Sequence, residues 1–228
     1  MPPIARDKEA MRENDDKEKN VISVNNNMSY EIIKRMIDII GASIGIVFLS
    51  LIFLIVSIAI KIEDPKGPIF FSQLRVGKNG EKFKMYKFRS MVTDAEEKLE
   101  QLLQYNETTG AMFKMKYDPR VTKIGRFVRK TSIDELPQLL NVLKGDMSLV
   151  GPRPPLPREV DLYTKYDKQR LLVTPGCTGL WQISGRSNIG FKQMVELDLF
   201  YIEHKSLLLD MKIILKTCFL FLGSKGAF

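Results

Sequence analysis

Two adjacent carboxylates, Asp134 and Glu135, follow a dense run of cations, Lys123, Arg126, Arg129 and Lys130. After them comes an apolar run at helical spacing, Leu136, Leu139, Leu140 and Leu143, which stops near Gly145 as a helix with a glycine terminator does. The acids therefore stand where a helix begins. Neighbouring positions inside a helix point in different directions, so both side chains can serve one ligand only where the chain is turning into the helix. A helix N-terminus favours anions and keeps a carboxylate ionised, which suits a nucleophile or a metal ligand and opposes a proton donor. Ser132, three residues ahead of Glu135, has the spacing of a capping box, with Pro137 setting the boundary to within a residue or two. The plain alternative is a charged first turn capping its own helix.

The rest of the composition narrows the chemistry. The single histidine, His204, excludes a His-based metal site and a histidine general base, and its default place is exposed or at a helix end. Cys177 and Cys218 are far apart and in no ligand spacing, so they read as small buried hydrophobes in a reducing compartment, with no disulfide. Catalysis here must run on carboxylates, cations and metal. With 35 Lys and Arg against 27 Asp and Glu, the net charge of +8 implies an anionic partner: nucleic acid, phosphorylated substrate or anionic lipid. The 228 residues hold one catalytic domain.

Residues 1–30 are polar and read as a disordered or loosely attached head. From Ile39 to Ile60 no residue is charged, and about 1.5 Å of rise per residue lets such a helix cross a hydrocarbon core of roughly 30 Å. We therefore expect 31–62 to be a membrane-inserted helix and 63–228 a cytosolic domain. Basic residues flank the apolar segment on both sides, Lys34 and Arg35 before it and Lys61, Lys66 and Arg75 after it, so charge sends neither end outward.

Downstream, two strands meet at Asn79-Gly80, a strong hairpin signal. In the second, Phe83, Met85 and Phe88 are set against Lys82, Lys84, Lys87 and Arg89. Residues 94–104 read as a scaffold helix. The proline cluster Gly151 to Pro157 stiffens the backbone around Arg153, and a pre-placed arginine recognises phosphate with less entropy lost. Arg186, in the turn Ser184 to Ser187, is a second candidate of this kind. The helix from Phe191 to His204 carries Glu196 and Asp198. The apolar C-terminal run from Leu207, with Asp210, Lys212 and Lys216 interspersed and Phe219, Phe221 and Phe228 near its end, reads either as an interfacial helix or as core packing.

The stretch DPRVTKIGRFVRKTSIDELPQLLNVLKGDMSLVGPRP, with PGCTGLWQISGR, ELDLFYIEH and LLLDMKIILKT after it, resembles the bacterial sugar transferases, the polyprenyl-phosphate hexose-1-phosphate transferases or monotopic phosphoglycosyl transferases. The match covers nearly everything from Lys34 onward. It implies a mostly helical α+β fold with a re-entrant N-terminal helix, a β-hairpin and interfacial helices, although the family's helix-breaking Ser-Pro pair is here Ser50-Leu51. It implies Asp134 as nucleophile, Glu135 as its partner, and Lys87, Arg89, Arg129, Arg153 and Arg186 around the phosphates. It also implies Mg2+ held by Asp134, Glu135 and Asp198. The partners that follow are a UDP-sugar (UDP-glucose, UDP-galactose or an N-acetylated hexosamine), polyprenyl phosphate and membrane lipids, with no nucleic acid and a homo-oligomer left open. The expected place is the bacterial inner membrane, facing the cytoplasm. Two other readings of the residues stand beside it: a membrane-anchored binding protein with a basic face, and a metal-dependent phosphohydrolase.

Overall fold

The structure is a computed structural model that describes residues 21–24, 27–105, 115, 117–185 and 189–222. Most of the expected polar head (1–20), Arg186 and Phe228 lie outside them. The chain opens with α1 (Met28–Phe48), started by the Asn27 side chain, which accepts from the Tyr30 N–H at 3.2 Å. It continues after Leu49 as α2 (Ser50–Glu63). A hairpin follows, β1 (Phe70–Val76) and β2 (Lys82–Phe88), then α3 (Ala95–Leu102), α4 (Lys123–Lys130), a 3₁₀ turn Ile133–Glu135 and α5 (Gln138–Lys144). Strands β3 (Ser148–Val150) and β4 (Gly176–Thr178) enclose two short helices, α6 (Pro157–Val160) and α7 (Lys165–Lys168). The chain closes with α8 (Leu180–Ser184), α9 (Phe191–His204) and α10 (Leu207–Leu222). This is the mostly helical α+β arrangement that the family resemblance implies, with an antiparallel β1-β2 pair and a separate parallel β3-β4 pair.

The head is not loose throughout. Ile22 donates its backbone N–H to Gln169 Oε1 at 2.7 Å, and Ile22 and Val24 pack on the core that Val195, Leu199 and Ile202 of α9 form with β3 and α10. Apolar residues at 22 and 24 have somewhere to go, which the charge-rich reading of the segment as a whole overlooked, while Val21 stays exposed.

Among the described residues no single helix is long and apolar enough to cross a membrane, whereas α1 and α2 together meet that test as a pair bent by 59°. The bend falls at Leu49, in the sparsely populated region near φ −92°, ψ 4°, without a proline. Packing explains it, because each arm is held by a different helix. Gly41 and Gly45 let α1 approach closely: a Cβ on Gly41 would lie 2.7 Å from a Leu149 methyl, and one on Gly45 3.1 Å from a Leu139 methyl. On the other arm, Val56 and Ile60 are buried with Phe88 and with Val128 of α4.

Both arms are also fastened by polar contacts. Arg35 donates to the Val142 and Leu143 carbonyls at 2.6 and 2.9 Å, satisfying the open C-terminal end of α5. Glu63 accepts from the Lys123 and Ile124 N–H groups at 2.7 and 3.1 Å, capping α4 from outside. Asp38 accepts from Ser148 Oγ at 3.0 Å and from the Leu149 N–H at 2.9 Å. Asp210 of α10 gathers Tyr30 and Lys34 at 2.9 Å and Tyr201 at 2.7 Å, and Lys205 pairs with Glu31.

Candidate active site

The acid pair sits on the 3₁₀ turn between α4 and α5, where the chain is turning into the helix. Two local details differ from the expectation. Ser132 makes no cap hydrogen bond but takes a left-handed conformation, φ 55°, which reverses the chain after α4. Helix α5 starts later, with Pro137 at its N-cap, so the missing proline N–H leaves no ladder bond unmade. At the other end Gly145 is left-handed, φ 93°, and its N–H bonds the Asn141 and Val142 carbonyls, as a terminator should.

The hairpin brings up the third member. Asn79 and Gly80 both have positive φ, the turn their sequence predicts. Strand side chains alternate, so Lys87 shares the face of Phe83 and Met85 and not, as the pattern suggested, that of Lys82 and Lys84, and Phe88 lies on the other face, stacked on Phe70 and tilted against Phe53. Lys87 is thus the one cation of β2 in phase with the core. Its Nζ lies 2.7 Å from Glu135 Oε1 and 3.9 Å from Asp134 Oδ2.

Asn141 sets this distance. Fully buried on α5, it donates from Nδ2 to the Lys84 carbonyl at 2.7 Å and accepts the Tyr86 N–H on Oδ1 at 3.0 Å. A helix side chain therefore does what a neighbouring strand would do, and fastens β2 directly to the helix that follows the acids. Nothing in the spacing of Asn141 marks it for this task.

Arg153 and the proline segment arrive from the opposite side. Val76 donates its N–H to the Pro155 carbonyl at 2.9 Å, and the buried Arg75 donates to the Pro154 carbonyl at 3.0 Å and to Gln73 Oε1 at 2.8 Å. Arg75 and Arg153 both act on the charge of Glu135. Burial and the neighbouring Arg153 pull the Arg75 guanidinium down to about 10, and its Nε is buried without a partner. Sequence reading counted Arg75 only as a flank of the apolar segment. Alternation gave no signal for it, since it sets Arg75 with Gln73 and against Leu74 and Val76; its burial comes from its place at the end of β1 that the proline segment covers.

The two acids are electrostatically unequal. Burial pushes Asp134 up to about 6, against the pull of Lys87 and Arg129 and with the push of Glu135. For Glu135 burial works in the same direction, but Lys87, Arg153 and Arg75 outweigh it and hold the carboxyl down at about 2. Glu135 is thus held low by its cations and not by the helix terminus that the spacing suggested, and for Asp134 desolvation wins. Asp134 is therefore the more basic carboxylate of the two.

Two expected members stand elsewhere. Asp198 does not join the acid pair: it is buried in an ion pair with Arg170, and among the described residues no three His, Cys, Asp or Glu side chains come together as a metal site. Arg89 pairs with Asp64, just past α2, and so ties the hairpin to the apolar arm. Arg186 lies outside the described residues. Of the cysteines, Cys177 is behind Glu135, its thiol pushed up by burial, whereas Cys218 is exposed on α10. His204 is exposed and stacks on Phe200, with ring centroids 4.2 Å apart.

A basic, desolvated carboxylate beside a second carboxylate that is neutralised by a lysine and two arginines is suited to attack on phosphorus in an anionic substrate. The family model described as bacterial sugar transferase matches residues 29–224. The chain is 52% identical over 200 residues to a galactosyl transferase, CpsE, of Streptococcus agalactiae serotype III, covering 87% of this chain and 44% of that protein. It is 40% identical over 215 residues to an undecaprenyl-phosphate galactose phosphotransferase of Salmonella typhimurium, covering 91% and 45%. The exopolysaccharide production protein ExoY of Rhizobium meliloti is 40% identical over 199 residues, 86% of this chain and 88% of that one. The chain thus spans somewhat under half the length of CpsE and of the Salmonella protein but nearly all of ExoY. On the length of the family match and these identities, the chain belongs to the bacterial sugar transferase family.

Proposed function

We propose that this protein transfers a hexose 1-phosphate from a UDP-sugar to a polyprenyl phosphate, with release of UMP, as an initiating step of exopolysaccharide or capsule assembly. The observation that carries the reading is the acid pair itself: Asp134 is buried and basic, while Glu135, its neighbour, is neutralised by Lys87 at 2.7 Å. UDP-galactose is the first donor to try, since two of the relatives are named for galactose.

Asp134 attacks the phosphorus that bears the sugar, and the bond from that phosphorus to the oxygen of UMP breaks. UMP leaves with the bonding pair, and the sugar phosphate remains on Asp134 as an acyl phosphate. An oxygen of the polyprenyl phosphate, already ionised, then attacks the same phosphorus, and the Asp134 carboxylate departs unchanged. No proton needs to move in either step, which fits a site without a histidine. Lys87 and Arg153 offset the charge of the phosphoryl oxygens, and Glu135 holds Lys87 in place. Asp134 and Glu135 also fit a magnesium ion, which takes one or two carboxylates together with substrate phosphates. Among the described residues Glu135 Oε2 carries no hydrogen bond, which leaves that oxygen open to it. When bound, the ion would neutralise diphosphate charge and stabilise the leaving nucleotide.

The α1–α2 pair supports a re-entrant membrane insertion with both ends on the cytoplasmic side of the bacterial inner membrane. Its bend carries exposed apolar side chains, Val47, Phe48 and Leu51, while Arg35 and Glu63 fasten the two arms to the same catalytic body.

The test is to incubate membranes with radiolabelled UDP-sugars and undecaprenyl phosphate. Label should pass to the organic phase, and without acceptor it should stay on the protein, sensitive to hydroxylamine, but not on Asp134→Asn. Free sugar phosphate formed at the same rate with and without acceptor would make the protein a phosphohydrolase.

A further inference from the structure

We propose that the outer face of α4 is a docking surface for anionic phospholipid headgroups, a reading that rests on the membrane insertion described above. Lys123, Arg126, Phe127 and Lys130 stand at i, i+3, i+4 and i+7 and so share one side of the helix. All are exposed, Phe127 at 58%, whereas Gly125 and Val128 on the opposite stripe are buried. Among the described residues no carboxylate pairs with Lys123, Arg126 or Lys130.

Position identifies what such a face meets. The first N–H groups of α4 are held by Glu63, the last residue of α2, and Ile124 and Val128 pack with Val56 and Ile60 of that arm. Helix α4 is therefore fixed at the root of the apolar arm, where exposed Ile58 and Ile62 give way to Lys61, Glu63 and Asp64. That is the level of the phosphates in a bilayer. An exposed aromatic ring between uncompensated cations suits this layer, with the ring at the acyl boundary and the charges on the phosphates. Nucleic acid would use the cations but not the adjoining apolar arm. The face is also separate from the chemistry, because the cations acting on the acid pair are Lys87, Arg129, Arg153 and Arg75.

The test uses the full chain with Cys177 and Cys218 replaced by alanine and an environment-sensitive nitrobenzoxadiazole on Phe127→Cys. It is reconstituted in nanodiscs of phosphatidylcholine alone or with added phosphatidylglycerol. Emission should shift to the blue and quencher access should fall with phosphatidylglycerol, and high salt should reverse both. Each of K123Q, R126Q and K130Q should weaken the response roughly fivefold and the triple variant on the order of a hundredfold. The triple variant should keep its KM for UDP-sugar in detergent. Equal emission in the two lipids, or a triple variant that responds like its parent, would overturn the proposal. So would a raised donor KM, which would assign the cations to substrate, or an equal shift on adding an oligonucleotide to phosphatidylcholine discs. The emission needs no turnover, so an inactive protein bears on the transferase reading alone. Release of the chain from membranes by carbonate would remove the insertion reading and this one together.

Discussion

Arg170 and Asp198 form a buried ion pair, and the guanidinium also donates to the Tyr163 hydroxyl at 2.8 Å and to the Arg153 carbonyl at 3.3 Å, while its Nε is buried without a partner. Asp198 thereby acts on the site through Arg170, by fixing the backbone that carries Arg153. Asp198→Ala would leave a buried guanidinium uncompensated, a loss of about 3–5 kcal/mol of stability that thermal unfolding would register. With the gentler Asp198→Asn, we expect a raised KM for the donor and an unchanged magnesium requirement. A magnesium titration displaced to higher concentration would return Asp198 to the metal.

Activity should rise with pH through about 6. Asp134 is the group concerned: burial raises its pKa, its ionised form is the proposed nucleophile, and protonation below that value would remove it. Because Lys87 pulls that pKa down, Lys87→Met should move the acid limb of kcat/KM to higher pH as well as lower its plateau. An acid limb that stays in place in this variant would mean that some other group titrates.

The link from Asn141 to β2 makes its own prediction. Asn141→Ala unpairs the Lys84 carbonyl and the Tyr86 N–H at once, for a cost of about 1–3 kcal/mol per group left unsatisfied. The hairpin should remain formed, because β1 and β2 pair along their whole length, but Lys87 should lose its register with the acids. We expect kcat to fall much more than the melting temperature suggests. Asn141→Asp, which keeps the acceptor for Tyr86 but sets a buried carboxylate against the Lys84 carbonyl and the Asp146 carboxylate that the amide now bonds at 3.0 Å, should lower the melting temperature more than alanine does.

Topology can be read by labelling. Single cysteines at Met28 and at Lys66, placed after Cys177 and Cys218 are replaced, should react with an impermeant maleimide from the same side of sealed vesicles. Labelling from opposite sides would make the bent pair a spanning helix.

Chelation tests the magnesium expectation on its own. Excess EDTA should abolish turnover and added Mg2+ restore it, since Lys87, Arg153 and Arg75 offset only part of the charge of a nucleoside diphosphate. Full turnover in EDTA would leave Asp134 and Glu135 to work without a metal.

What could be read along the chain was local. The Gly145 terminator, the Asn79-Gly80 turn and the acids at a helix start each depend on residues within a turn or two of one another. What could not be read depends on partners far apart in sequence: Asn141 with Lys84, Arg75 with Pro154, Arg170 with Asp198, Arg89 with Asp64. Asp198 and Arg89 were expected at the site because neither a family motif nor a charge states which counter-ion lies beside it in the fold. The raised pKa of Asp134 belongs to the same class, since desolvation is a property of everything packed around a group. One long-range fact lay in the pattern unread: Lys87, grouped with Lys82 and Lys84 on a basic face, in fact falls in phase with Phe83 and Met85, and a cation at a core position asks for an anion.

The contacts that seat the first arm also set an order in time. Tyr30, Glu31 and Lys34 near the start of α1 are paired with Asp210 and Lys205, some 174 to 180 residues later. At translation rates of about 5–20 residues per second, those partners emerge on the order of ten to forty seconds after α1 does. The arm is therefore placed first and latched last. A chain truncated before Lys205 would keep its acids, its hairpin and its apolar bend, yet have nothing to close the latch.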